Sequence, residues 1–523
     1  MKLIYIILPV IALLLPSCED FLKEEPLDEF SVDQYFSDPD HAISAVNGLY
    51  RTGAPQMYDG GVYSGTRMMF IQYMTGFFDN EYSGQELHIQ RALQLTLDGV
   101  NTASYIDDIW LDLYEGVSRA NNAIVNIPTT PDLSTEEANR LMGEARFFRA
   151  FSYFFLVRMF GPVPLVTEPI NSIDDVYAER SSIENVYGLI VEDLRFALEQ
   201  GGLSTNHMVA NEGRITQGAV AILLADVYLT MAGFPLEQTA RYADAATIAR
   251  NLINGQYGAY GLVQHGADPA SSAYNKIRNS DVSEEYIYYK EFTTGISNSP
   301  YPPWSYPVGM VKYTQYDITN GAYQPEPEFL WAYDPDDDLR MQNKQFFHWT
   351  LDTPDGEQTF PPTPYMWHDD ASLFTGPPAS GKDVVIYGYA HALLIAAEAI
   401  AQSEGVTAEA INYLAQVRGR GYWEIGVPGI EATLALPPQD FIEEVWTERL
   451  RELVFEFRTW FDVQRTRKYP VTDENNRGQV TYVDVVGHTN PMGATYEEKH
   501  LLFPLSENEI QRNPDLGDNN PGY

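Results

Sequence analysis

Residues 134–165 read STEEANRLMGEARFFRAFSYFFLVRMFGPVPL. Ser134 followed by Glu137 is typical of a helix start, because the serine side chain can cap the first turn. Apolar residues then recur at helical spacing, at Leu141, Ala145, Phe148, Phe155 and Met159. Gly161 and Pro162 end the pattern. Further aromatic residues fill the positions between these, so we predict a long helix that packs on several sides.

Two helical patterns follow at 216–231 and 238–253, separated by Gly233-Phe234-Pro235. The short connection predicts an antiparallel pair. Leu224-Ala225-x-x-Tyr228 is similar to the first helix of a tetratricopeptide unit, although no strict repeat period runs through the chain. We therefore predict an all-α fold of degenerate tetratricopeptide-like helical pairs.

The helical pattern stops between about 265 and 382. Prolines cluster there, and Trp304, Trp331, Trp349 and Trp367 are spread among them. Proline interrupts helices, whereas the aromatic content favours an ordered segment. We predict a large loop-rich insertion rich in aromatic residues and proline. Helix is predicted again at 387–401, and one charged helix at 441–466.

The N-terminus carries Lys2, an apolar run from Leu3 to Leu15, and then Leu15-Pro16-Ser17-Cys18. A helix of this run would reach only about 20 Å, short of a membrane core of about 30 Å. The pattern indicates a signal peptide at 1–17 that ends in a lipobox, with lipidation at Cys18. Because Cys18 is the only cysteine, no intramolecular disulfide is expected.

The domain division follows from these patterns. Residues 18–30 are acidic and are predicted to form a lipidated tether. Residues 31–523 are predicted to form a single domain, with a helical scaffold at about 31–264 and 383–523 and the insertion at about 265–382. The formal net charge of −40 repels phosphate, so nucleic acid is not an expected partner and membrane attachment depends on the lipid.

Several separated motifs share one resemblance. They are Gly143-Glu144-Ala145-Arg146-Phe147-Phe148-Arg149-Ala150, Arg158-Met159-Phe160-Gly161-Pro162, Arg214-Ile215-Thr216, Leu223-Leu224-Ala225-Asp226-Val227-Tyr228, Ala396-Ala397-Glu398-Ala399, Glu448-Arg449 with Glu452-Leu453-x-Phe455-Glu456, Leu502-Phe503-Pro504-Leu505, and the end from Asn513 to Tyr523. In this order and with the lipobox, the chain resembles the SusD/RagB family of outer-membrane nutrient-binding lipoproteins.

The resemblance implies an anchor on the outer membrane that faces the extracellular side, and a SusC-like TonB-dependent transporter as partner. It also implies a glycan as ligand, whereas a peptide, as in RagB-type uptake, is the alternative. It leaves the sugar and its linkage open.

Two aromatic stretches are candidate glycan contacts. Tyr301, Trp304 and Tyr306 lie on a proline-stiffened loop, and Phe78, Asp79, Asn80 and Tyr82 alternate rings with polar groups. A sugar ring offers C–H groups to a flat aromatic face and hydroxyls to polar side chains, so this composition suits it. A single aromatic residue of this kind is more often part of the core than a ligand contact, so the two stretches carry the prediction better than their individual members.

Catalysis is not predicted, although a surface glycoside hydrolase remains an alternative. Glu448, Glu452 and Glu456 share one face of a predicted helix, but neighbouring arginines favour ion pairing over an acid–base pair. The acidic run 334–338 and His368-Asp369-Asp370 lack a complete metal-binding pattern. Gly376-x-x-x-x-Gly381-Lys382 resembles a phosphate loop, but Asp383 follows it. No cofactor or metal is expected.

Overall fold

A computed structural model of the chain describes residues 35–58, 60–170, 172, 176–280, 283–373 and 379–523. The predicted signal peptide, Cys18 and most of the N-terminal segment lie outside the described residues. Within those ranges, no helix is both long enough and apolar enough to span a membrane.

Helix makes up about 49% of the structure, and the predicted all-α class is confirmed. The helices are α1 Pro39–Leu49, α2 Arg67–Tyr73, α3 Leu87–Leu93, α4 Ala103–Asn126, α5 Thr135–Phe160, α6 Ile183–Glu199, α7 Gln217–Ala232, α8 Arg241–Ile253, α9 Ala273–Arg278, α10 Pro327–Leu330, α11 Tyr389–Glu404, α12 Ala408–Gly421, α13 Gly426–Glu431, α14 Pro438–Glu452, α15 Thr459–Thr466 and α16 Glu507–Arg512.

The described strands form antiparallel two-stranded sheets. The strands are β1 Phe78–Asp79, β2 Val163–Pro164, β3 Arg180–Ser181, β4 Tyr286–Lys290, β5 Gln324–Pro325, β6 Phe347–Thr353, β7 Gly356–Pro364, β8 Val384–Gly388, β9 Lys468–Thr472 and β10 Val480–Asp484. The pairs are β1 with β5, β2 with β3, β4 with β8, β6 with β7, and β9 with β10. Strand pairing is therefore a minor part of the architecture.

Consecutive long helices pack on one another in chain order from α4 to α8, and α8 then packs on α11. Each helix buries its apolar face against its neighbours, as in stacked helical repeats. The segment from 254 to 388 connects α8 to α11 along the chain. Because these two helices pack directly on each other, the segment does not separate them in space.

The helix predicted from the opening stretch forms as α5. The Ser134 hydroxyl accepts the Glu137 N–H at 3.1 Å, and Gly161 follows the helix with a φ of 72°. All residues from Phe147 to Phe160 are buried, because α5 packs against both α4 and α6. The predicted packing on several sides is confirmed.

The single charged helix predicted at 441–466 is wrong. Helix α14 ends at Glu452, Phe457 adopts a left-handed φ of 58°, and α15 begins at Thr459. The break turns the Glu456 carboxylate toward β8, where it accepts the Gly388 N–H at 3.1 Å and lies 3.0 Å from Nδ1 of His391. These distant partners select the break, and local helical spacing does not reveal them.

Candidate functional site

The two aromatic stretches proposed as glycan contacts are joined in the structure through Glu81. Its Oε2 accepts the Val308 N–H at 2.8 Å and the Gly321 N–H at 2.7 Å. Strand β1 also pairs with β5, so that Asp79 faces Gln324. The segment 77–82 and the loop 301–308 are therefore parts of one surface, although more than two hundred residues separate them.

Trp304 lies on a 3-10 turn at Pro302–Ser305, whose prolines restrict the backbone. The Trp304 N–H donates to the Tyr301 carbonyl at 2.9 Å, and the two rings meet edge to face with centroids 4.9 Å apart. Trp304 is half-buried, whereas Tyr301 is 1% exposed. Tyr301 thus holds Trp304 in place, and part of the Trp304 ring remains at the surface.

Four of the predicted contact residues are buried. Tyr301 donates its hydroxyl to the Tyr63 carbonyl at 3.2 Å, and the Tyr306 hydroxyl lies 2.6 Å from Nδ1 of His368. Phe78 stacks on Tyr323 with centroids 3.8 Å apart. A buried ring offers no face to a ligand, so these residues support the surface from below.

Asn80 is the fourth buried residue, with 1% of its surface exposed. Its Nδ2 donates to the Tyr73 hydroxyl at 3.1 Å, and its Oδ1 accepts from Asn320 Nδ2 at 3.2 Å and from the Tyr82 N–H at 2.9 Å. These bonds tie segment 77–82 to residue 320. The side chain of Asn80 is thus occupied by structural contacts.

Three predicted residues remain at the surface: Trp304, Tyr82 and Asp79 are half-buried. Together with Glu81 we define these four residues as the aromatic platform. Two aromatic side chains beside two carboxylates can stack on a sugar ring and accept hydrogen bonds from its hydroxyls. The assignment of Asp79, Tyr82 and Trp304 as ligand contacts stays a prediction.

Glu81 lies within a predicted stretch but was not predicted as a contact, and Glu326 lies outside both stretches. Glu326 is half-buried at the end of β5, and burial, with a smaller contribution from Asp79, raises its pKa to about 7. A carboxyl group that is partly protonated near neutral pH can both donate and accept hydrogen bonds. Only the pairing of β1 with β5, which sequence spacing does not show, brings Glu326 near Asp79.

The Glu448, Glu452 and Glu456 series forms ion pairs, as predicted, but many of its partners lie on other elements. Arg340 contacts Glu448 at 2.6 Å and Glu452 at 2.7 Å, and Arg420 contacts Glu452 at 2.5 Å. All five side chains are largely or fully buried, so these pairs fix α14 against its neighbours.

The other motifs weighed in the sequence are also engaged in structural contacts. Asp334 Oδ1 accepts the N–H groups of Asp336 and Asp337, while buried Asp338 pairs with Arg340 at 2.8 Å. The Lys382 ammonium donates to the Arg278 carbonyl, and Gly376 lies outside the described residues. Among the described residues, no group of three or more His, Cys, Asp or Glu side chains is arranged to hold a metal ion.

Comparison with known proteins defines the class. The family model described as "SusD family" matches residues 318–523, and the model described as "Starch-binding associating with outer membrane" matches residues 54–229. Together they cover most of the chain, from the scaffold helices to the C-terminus. The chain belongs to the SusD family, a family of glycan-binding type.

Individual relatives agree over nearly the whole length. The SusD-like protein P2 of Formosa agariphila is 24% identical and the match covers 98% of each chain. A SusD superfamily protein from Parabacteroides distasonis is 28% identical, with a TM-score of 0.80 over 92% of this chain and 99% of the other. Surface glycan-binding protein A from Bacteroides uniformis shares the fold at 17% identity, with a TM-score of 0.68 over 91% and 98% of the two chains.

The motifs that carry the family resemblance are mainly structural. Glu144 accepts hydrogen bonds from Arg214 at 3.0 and 2.8 Å and from the Tyr50 hydroxyl at 2.6 Å. Buried Glu398 pairs with Arg465 at 2.5 and 2.8 Å. These bonds join separate helices, which explains why motifs scattered along the chain indicate one fold.

Proposed function

We propose that the protein captures oligosaccharide or polysaccharide at the cell surface and passes it to a SusC-like TonB-dependent transporter. The observation that carries the proposal is the junction at Glu81, which joins the two aromatic stretches into one platform on a SusD-type scaffold. The surface glycan-binding protein with the same fold supports a glycan as the ligand class.

The aromatic platform is better suited to binding a glycan than to cleaving it. Trp304 is restrained by Pro302 and by its edge-to-face contact with Tyr301, so binding would cost little conformational entropy. A glycosidase needs two carboxyl groups at a defined separation on either side of one bond. Of the three glutamates first considered for that role, Glu448 and Glu452 are held in core ion pairs with Arg340 and Arg420, and Glu456 accepts the Gly388 N–H and contacts His391. The protein is proposed to bind without cleaving.

The predicted lipid on Cys18 would hold the platform at the outer membrane, facing outward and close to the transporter. Delivery then requires no energy input from this chain, because a ligand bound with moderate affinity dissociates quickly enough to pass into the transporter.

Affinity electrophoresis through gels that contain single soluble polysaccharides tests ligand capture. We expect retardation by at least one polysaccharide, with no shortening of the glycan on prolonged incubation. Retention on peptide ligands with no retardation in any glycan gel would show that the ligand is a peptide and not a glycan. Release of shorter glycans would show that the protein hydrolyses glycans. Co-purification of the native lipoprotein with a TonB-dependent transporter tests delivery.

A further inference from the structure

A cavity of about 250 Å³ lies at the scaffold end, where α5, α6, α7 and α15 meet the C-terminal segment. It shares no residue with the aromatic platform. Its lining includes Arg158, Tyr187, Phe234, Phe461, Gln464 and Leu502. We define it as the C-terminal cavity. Its volume is below the roughly 300–1,000 Å³ of pockets for drug-sized ligands, so it suits a small molecule and not an oligosaccharide.

Arg158 is the distinctive residue of this cavity. Its side chain is 7% exposed, and its guanidinium carbon lies 3.6 Å from the Phe154 ring centroid and 3.9 Å from that of Phe461. Nε donates to the Phe154 carbonyl at 2.9 Å, while Nη2 has no hydrogen-bond partner among the described residues. A buried cation is costly when its N–H groups lack acceptors, and the two rings offset that cost only in part.

The other cations of the C-terminal cavity are paired. Arg465 contacts both oxygens of Glu398 and also Asp462, and Arg467 contacts both oxygens of Glu498 at 2.8 and 2.6 Å. Arg158 forms no ion pair with any described carboxylate. Burial lowers its pKa, and the charge of Asp226 opposes this effect from a distance. Asp226 is itself engaged by the Tyr387 hydroxyl at 2.7 Å.

The chain has 73 acidic and 33 basic residues, so acceptors for a buried arginine are abundant in it. An arginine that has no carboxylate partner at the wall of a cavity therefore indicates that the cavity binds an anionic ligand.

One further polar group at the cavity lacks a partner in the described part of the chain. Oε1 of Gln464 is buried without a donor, because the Nε2 of the same side chain is fixed by the carbonyls of Arg158 at 3.2 Å and Leu501 at 2.6 Å. Tyr187 is 2% exposed and lines the same cavity. Most of the remaining wall is apolar, including Ile183, Phe234 and Leu502.

We propose that the C-terminal cavity binds a small amphipathic carboxylate, whose anionic head pairs with Arg158 and whose apolar body lies against Ile183, Phe234 and Leu502. The Tyr187 hydroxyl donates a second hydrogen bond to the same head. This site is separate from glycan capture and does not depend on it.

Isothermal titration of the purified full chain with phenylacetate, hexanoate, neutral phenylacetamide and sodium sulfate tests the proposal. We expect saturable binding of phenylacetate or hexanoate and at least about tenfold weaker binding of the amide, since a charged hydrogen-bonded pair contributes about 1.5–3 kcal/mol. Arg158→Met, which retains apolar contact with the flanking rings, should abolish carboxylate binding. Arg195→Gln, at an exposed arginine that pairs with Glu199 and does not line the cavity, is the control and should change the affinity less than about threefold.

Leu502→Trp provides a second test that leaves Arg158 in place. The larger side chain should fill the cavity and abolish binding even if the Arg158→Met variant fails to fold. No binding of either carboxylate, equal binding of phenylacetamide, binding of sulfate alone, or unchanged carboxylate binding by Leu502→Trp would each overturn the proposal.

Discussion

The hydroxyl of Tyr306 lies 2.6 Å from Nδ1 of His368, and both side chains are buried. His368 Nε2 lies 2.7 Å from Asp370 Oδ1, so Nε2 carries the ring proton and donates it to that carboxylate, while Nδ1 accepts from the Tyr306 hydroxyl. Burial lowers the pKa of His368, which favours this neutral form. Tyr306 therefore anchors the loop below the aromatic platform.

Tyr306→Phe should lower the free energy of unfolding by about 1–3 kcal/mol, because it leaves the buried Nδ1 of His368 without a donor. Chemical denaturation measures the change. The affinity for glycan should stay within about threefold of wild type under conditions where the variant is folded. A loss of affinity without a loss of stability would show that the Tyr306 hydroxyl contacts ligand.

Glu81→Ala should weaken glycan binding by about tenfold or more, because the Val308 and Gly321 N–H groups lose the acceptor that joins the two halves of the platform. Glu81→Gln retains a side-chain oxygen acceptor and should bind more tightly than Glu81→Ala. Glu357→Ala, at an exposed position on the β6–β7 hairpin, is the control. Equal affinities for Glu81→Ala and the control would show that the junction does not contribute to glycan binding.

Glu456 predicts a pH dependence of stability. Burial raises its pKa from 4.5 to about 8, with Arg458 opposing the shift. Between these values the native state holds a proton that the unfolded chain has released, so this residue makes stability fall as pH rises. Glu456→Gln removes the effect and can keep the acceptor for the Gly388 N–H.

The difference in unfolding free energy, variant minus wild type, should therefore increase by roughly 1 kcal/mol or more from about pH 5 to about pH 8. Denaturant titrations at both pH values measure it. Titrating groups that do not contact Glu456 are present in both proteins, so they largely cancel in the difference. A difference that is constant with pH would show that Glu456 is ionised throughout.

Cys18→Ala should release the protein from the membrane fraction, because attachment to the membrane is predicted to depend on the lipid. Cell fractionation followed by immunoblotting measures the distribution. Ser17→Ala keeps a small residue before the cysteine and should leave the protein in the membrane fraction. Retention of Cys18→Ala would contradict the lipidation prediction.

Much of the scaffold could be predicted because its signals are local. Ser134, the apolar spacing and Gly161 bound α5 within a few residues, and the family motifs indicated the stacked helices. The break between α14 and α15 could not be predicted, because it depends on Gly388 and His391, which lie more than sixty residues from Glu456.

The site was predicted only in part for a similar reason. Trp304 and Tyr306 are two residues apart in one stretch, yet one reaches the surface and the other lies beside His368. Composition marks such a stretch as aromatic but does not say which ring faces solvent. The role of Glu81 depends on Val308 and Gly321, which sequence spacing does not connect to it.

Isothermal titration of wild type and Trp304→Ala with a broad panel of oligosaccharides tests glycan capture most directly. We expect saturable binding of at least one oligosaccharide by wild type and at least about tenfold weaker binding by Trp304→Ala, with both proteins melting within a few degrees of each other. Failure of wild type to bind any oligosaccharide, or unchanged affinity in Trp304→Ala, would contradict capture on this platform.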